Sequence, residues 1–135
     1  MSDFMLDTNI CIYVINQKPP VVLQRFRQEA PGSIALSSIS AAELAYGVSK
    51  SGSVRNQEAL DLFLAPLDVL PFDEAAIWQY GKLRATLEKK GEPIGPLDTL
   101  IAAHALSRGL TLVTNDIREF ERVEGLKLEN WAAPG

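Results

Sequence analysis

One cysteine, one histidine and two methionines are all that this 135-residue sequence offers to soft-metal or imidazole chemistry. A single Cys11 forms neither an internal disulfide nor a multi-cysteine zinc cluster, and His104 alone provides no pair of imidazoles at metal-ligand spacing. No apolar run reaches the roughly 18–20 residues that a spanning helix needs, and the start Met1-Ser2-Asp3 lacks the basic residues of a signal peptide. A soluble, cytoplasmic protein without membrane contact is expected. Positive charge is also short, with 13 Lys+Arg against 17 Asp+Glu and a formal net charge of -4. This balance excludes a protein that coats nucleic acid by bulk electrostatics, but not an enzyme that grips a few phosphates locally. Hard-cation and carboxylate chemistry stay open.

What is present suffices for a core: 47% hydrophobic against 22% charged predicts one folded domain over residues 1–135 and no disordered tract. Phe4-Met5-Leu6 reads as a strand running into Asp7-Thr8-Asn9, whereas Ile10 to Ile15 fits a buried helix or a longer strand equally well. Pro19-Pro20 open a helix that Pro31-Gly32 close, and Ile34-Ala35-Leu36 is a second strand. Ser40 opens a helix through Gly47, with Glu43 at the spacing of a capping box. Helices are expected around Asn56 to Leu64, from the N-cap Asp73 through Ile77, Trp78, Tyr80, Leu83 and Leu87, and from Leu97 to Leu106 between Gly95-Pro96 and Gly109. Val69-Leu70 and Leu110 to Val113 complete the inner strands, before a short helix over Arg118 to Arg122 and an edge strand at Leu126-Lys127-Leu128. Strands alternating with helices predict an α/β fold, a central parallel sheet flanked by helices on both faces.

In such sheets, functional groups collect beyond the carboxyl ends of the strands. Asp7 ends the first strand, Asp116 follows Leu110 to Val113, Asp98 lies in the first turn of a helix, and Glu43 lies near the start of another. Each has a plain structural reading as a cap, an Asx-turn or a charge beside a helix N-terminus. Their joint placement favours a site. Four clustered carboxylates repel one another unless neutralised, and Mg²⁺ or Mn²⁺ is the usual partner of an all-oxygen set. With these four set aside, the remaining chain is charge-balanced. A metal-activated water attacking phosphorus in line suits a chain without an evident Ser, Cys or His nucleophile. His104, six residues beyond Asp98, lies far around the helix from it and reads as a core residue. Cys11, Trp78 and Tyr80 read as packing residues. Arg25, Arg27, Lys82, Arg84, Lys89 and Lys90 are candidates for phosphate contacts, but such runs more often form a solvated face.

The segments Met5-Leu6-Asp7-Thr8-Asn9-Ile10, Ser40-Ala41-Ala42-Glu43-Leu44, Gly95 to Ala105 and Leu112-Val113-Thr114-Asn115-Asp116 with Phe120 together resemble the PIN-domain ribonucleases, and closely the VapC toxins of type II toxin–antitoxin pairs. The similarity spans essentially the whole chain. It implies a PIN-like sheet and a Mg²⁺- or Mn²⁺-dependent endoribonuclease with the acids Asp7, Glu43, Asp98 and Asp116. In that reading Asp7 and Asp98 hold the metal, Asp116 and Glu43 complete its shell, and Thr114 and Asn115 support it. The resemblance also implies a VapB-like antitoxin, a homodimer, and structured RNA as substrate; Leu6-Asp7-Thr8-Asn9-Ile10-Cys11 looks like the branch that cuts the initiator tRNA anticodon loop. A PIN nuclease of RNA processing that is not a toxin is the alternative within the family. A phosphotransfer enzyme of the haloacid-dehalogenase type would want Asp where Asn9 stands, and a receiver-type domain would want a Lys near Thr114-Asn115-Asp116. A scaffold that had lost its acids is a further rival, but the quartet here is complete.

Overall fold

Apolar residues crowd both faces of the central strands, so helices must cover both. In the computed structural model, which describes residues 2–30 and 32–133, the chain runs β1 (Phe4–Leu6), α1 (Thr8–Asn16), α2 (Pro20–Gln28), β2 (Ile34–Ser37), α3 (Ser38–Ser51) and α4 (Val54–Leu64). It continues through β3 (Asp68–Leu70), α5 (Glu74–Lys89), α6 (Pro96–Arg108), β4 (Thr111–Val113), α7 (Ile117–Phe120) and β5 (Leu128–Glu129). The strands pair in parallel in the order β3-β2-β1-β4-β5, with Leu6 beside Leu36 and Val113. Successive strand side chains point to opposite faces. Met5, Ala35 and Leu112 therefore pack with Leu83, Leu87, Ile101 and Phe120, while Leu6, Leu36 and Val113 pack with Ile10, Val14, Leu44 and Phe63. This is the expected parallel sheet with helices on both faces. No helix among the described residues is long and apolar enough to cross a membrane.

Several elements form where their end signals stand. Pro20 and Pro96 occupy first turns, Asp73 Oδ1 caps α5 by accepting from Ala76 N, and Gly109 ends α6 at φ +65°. Ile10 to Ile15 is helix rather than strand, because Asp7 caps it and turns the chain out of the sheet. Pro31, the expected helix terminator, lies outside the described residues.

Three expectations are corrected. The helix opens at Ser38, not Ser40: Ser37 is the N-cap, its hydroxyl accepting from Ile39 N, so Ser40 and Glu43 form no capping box. Trp78 does not pack but is exposed at 66%, since the core face of α5 is set by Ala76, Leu83 and Leu87, whereas Tyr80 is partly buried against that core. The last helix and strand begin one and two residues away from their expected starts, at Ile117 and Leu128. From central β1 the chain steps outward through β2 to β3, then returns to β4 and β5 on the other side. The carboxyl ends of β1 and β4 thus flank the point where strand order reverses, the usual place for a site in an open parallel sheet.

Candidate active site

Asp7 leaves β1 with its N–H still bonded to the Val113 carbonyl at 2.9 Å, which fixes it against the end of β4. Its carboxylate folds over the start of α1, Oδ1 accepting from Ile10 N at 2.9 Å, and the residue is only 5% exposed. The N-cap reading of Asp7 is therefore correct and does not compete with a functional one. Thr8 turns its hydroxyl across to α3, 2.7 Å from Glu43 Oε1 and 3.2 Å from Ser40 Oγ. A hydroxyl has one proton. The shorter, charge-assisted bond to Glu43 takes it, leaving the Thr8 oxygen to accept from Ser40.

The hydroxyl of the buried Thr114, at the end of β4, works to keep Asp7 ionised, and its Oγ1 accepts from Asp116 N at 3.0 Å. Asp116 then caps α7, Oδ1 accepting from Glu119 N at 3.2 Å. Asp98 stands in the first turn of α6, and Glu119 Oε1 reaches across to accept from Gly95 N just before that helix at 2.8 Å. Asn115 does not join this group. Its Nδ2 donates to Tyr13 Oη at 2.9 Å, toward the flank of α1.

The charges of Asp7, Asp98 and Asp116 act on one another, and Glu43 adds to the field at Asp7. Burial raises the pKa of Asp7; the bonds from Thr114 and Ile10 work against this, and the neighbouring carboxylates reinforce it. Asp98 is pushed up to about 7, first by burial and then by Glu119, Asp7 and Asp116. Burial also works upward on Glu119, but the Gly95 N–H, the Asp98 and Asp116 side chains and Arg122 together outweigh it and hold Glu119 below its ordinary value. Asp98 thus carries the proton of this pair while Glu119 stays ionised.

Glu119 is the acid that sequence reasoning missed. Its signal was present in the spacing Asp116-x-x-Glu119, which resembles a capping pair at a helix start. Among the described residues no three His, Cys, Asp or Glu side chains converge to hold a metal ion as they stand. Glu43 is engaged by Thr8, and Asp98 by Glu119. The donor set still fits a hard divalent cation: its oxygens are all carboxylate, partly desolvated and mutually repelling, with no thiolate or imidazole among them. Cys11 is fully buried, and burial together with the charge of Asp7 pushes its thiol well above the ordinary range, so it supplies no thiolate. Of the candidate phosphate-contacting cations, Arg25 pairs with Glu29 and Glu129, Arg84 with Glu88, and Lys90 with Glu124.

Residues 4–126 match the PIN domain family. The chain is 48% identical over 133 residues to the tRNA(fMet)-specific endonuclease VapC of Shigella flexneri, covering 98% of this chain and 100% of that protein. It is 49% identical over 130 residues to ribonuclease VapC2 of Rickettsia felis, covering 95% and 97%. Among solved structures, DNA-bound VapBC from Salmonella typhimurium superposes with a TM-score of 0.90 at 44% identity, over 98% of this chain and 100% of that one. VapBC2 from Rickettsia felis, bound to a DNA fragment from its promoter, gives a TM-score of 0.86 at 46% identity, over 95% and 98%.

Proposed function

The chain belongs to the PIN-domain family, among the VapC ribonucleases, and from that premise we propose that it is a metal-dependent endoribonuclease toxin, one PIN domain over residues 1–135. Asp7, Asp98 and Asp116 would hold Mg²⁺ or Mn²⁺, with Glu43 and Glu119 completing the acidic surround and Thr114 supporting it. One observation carries this reading: Asp98 stands close enough to Asp7 and Asp116, from two other parts of the chain, for their charges to act on it. Such a group is neutralised either by a proton or by a cation.

A divalent cation there supplies positive charge against the scissile phosphodiester and lowers the pKa of a water for in-line attack. The protein's own part is orientation. Ile10 N–H holds the Asp7 carboxylate and Thr114 holds the Asp116 backbone, so the ends of β1 and β4 present their acids together. Thr8 holds the Glu43 carboxylate beside the start of α1 by a 2.7 Å hydrogen bond. A product bearing a 5′-phosphate is expected.

Relatives 48% and 46% identical, from Shigella flexneri and Salmonella typhimurium, are both tRNA(fMet)-specific endonucleases. Transfer RNA, and first the initiator anticodon loop, is therefore the proposed substrate. The VapBC complexes among the structural relatives support a VapB-like antitoxin as partner, and a homodimer fits the same family. Brief expression in cells, beside an Asp7→Asn control, tests this reading. Growth arrest, a discrete set of new 5′-phosphate ends in one RNA class, and relief by a co-expressed adjacent antitoxin are expected. Unimpeded growth with abundant folded protein would refute the toxin assignment.

Glu43→Gln separates charge from packing. The Gln carbonyl still accepts from Thr8, so urea unfolding should shift by no more than about 0.5 kcal/mol. RNA cleavage should fall sharply because the negative charge is gone. Native turnover at saturating Mg²⁺ would remove Glu43 from the site.

A further inference from the structure

The helix that carries Asp98 and the helix that carries Glu43 meet at a buried polar contact outside the acid cluster. His104, near the far end of α6, is fully buried, and its Nδ1 lies 2.8 Å from Ser37 Oγ. Ser37, also fully buried, is the N-cap of α3, and its oxygen already accepts from Ile39 N at 3.1 Å. The hydroxyl can give its proton to Nδ1 or take one from it, according to the ring tautomer; with Nδ1 as acceptor the ring proton sits on Nε2. Nε2 has no partner within hydrogen-bond geometry. Phe72 packs edge-on against the ring at 5.3 Å, and its N–H donates to Ser38 Oγ at 3.1 Å. The neighbouring charges are Arg108 on α6 and Asp73 before α5, themselves 3.6 Å apart.

A buried imidazole with an unsatisfied nitrogen costs stability that an apolar side chain of similar size would not. Packing alone therefore gives no reason for histidine here. Its one strong bond ends on the cap of α3, six positions before Glu43 and three before Ser40, the residues that meet Thr8 beside Asp7. We propose that His104 is a positioning residue: through Ser37 it ties the first turns of α3, and hence Glu43, to α6, and hence Asp98. An N-cap acts on the whole first turn, so releasing it lets Ser40 and Glu43 shift relative to Thr8.

The proposal rests on the ribonuclease reading above, and the test keeps the two apart. His104→Leu keeps most of the volume and removes the acceptor; His104→Asn can place a carbonyl oxygen where Nδ1 stood. In the folded proteins, His104→Leu should cut turnover about 10–100-fold, as loss of an outer partner does at other metal sites, and His104→Asn should recover most of it. Amide hydrogen exchange over Ser38 to Ser40 should quicken in the Leu variant and slow again in the Asn variant, whether or not RNA is cut. In a Glu43→Gln background, His104→Leu should cause little further loss of cleavage, because both changes act through the same carboxylate. Native turnover and exchange in His104→Leu would overturn the proposal. So would equal losses in the Leu and Asn variants, or a Leu effect undiminished by Glu43→Gln. A native protein that cuts no RNA, yet shows the exchange pattern, would instead sink the ribonuclease reading.

Discussion

Asp98→Asn should abolish RNA cleavage and leave the metal-free protein as stable as the native chain, or more so. The loss of activity should exceed the roughly 10–100-fold that removal of an outer partner costs at a metal site, because Asp98 is a proposed ligand itself. The stability effect follows from its pKa, about 7 in the folded protein against an ordinary 3.8. At acid pH both folded and unfolded states hold the proton. As pH rises through the ordinary value, the unfolded chain releases it while the folded protein keeps it, so folding stability falls until Asp98 itself ionises near 7. Glu119 works the other way: its lowered pKa contributes stability above its ordinary 4.5, which is lost as pH falls through the folded value. Between about pH 5 and 7 the raised pKa of Asp7 works in the same direction as Asp98, and the lowered pKa of His104 works against both, so the Asp98 contribution is read as a difference: relative to the Asn variant, the native protein in EDTA should lose stability across that window. Thermal unfolding in chelator at several pH values measures this, and marked destabilisation of Asp98→Asn would show Asp98 to be a structural residue only.

Chelation of the wild-type protein should stop hydrolysis completely, and Mn²⁺ or Mg²⁺ alone should restore it. Cys11 has no accessible thiolate and His104 is buried away from the acids, so neither replaces a cation. Binding should also stabilise the fold, by about 2.7 kcal/mol at a hundred times Kd, a rise in Tm on the order of 10 °C for a domain of this size. Below about pH 7 the ion must displace the Asp98 proton, so affinity should fall by roughly tenfold per pH unit. Titration with Mn²⁺ followed by thermal unfolding reads both effects. Cleavage by a chelated, repurified sample would defeat the metal assignment.

Much of the architecture follows from short-range rules that need no partner. Pro at a first turn, Asp73 as a cap and Gly109 at positive φ mark helix ends by local geometry, and apolar strands alternating with helices leave little but a parallel sheet. Asp7, Asp98 and Asp116 were legible because strand ends and helix starts converge on one edge of such a sheet. Glu119 was not, since its relation to Asp98 passes through Gly95, across 24 residues of chain. Nor was the cap of α3: Ser37 and Ser40 are both hydroxyl residues near the same turn, and only the end of β2 and the ring of His104 decide between them. The sequence by itself determined the order of elements and the kind of chemistry available, because spacing and residue type are local properties. Which carboxyl keeps its proton, which hydroxyl faces Glu43 and where Trp78 points were decided by tertiary structure, because burial and charge repulsion exist only once distant segments are packed together.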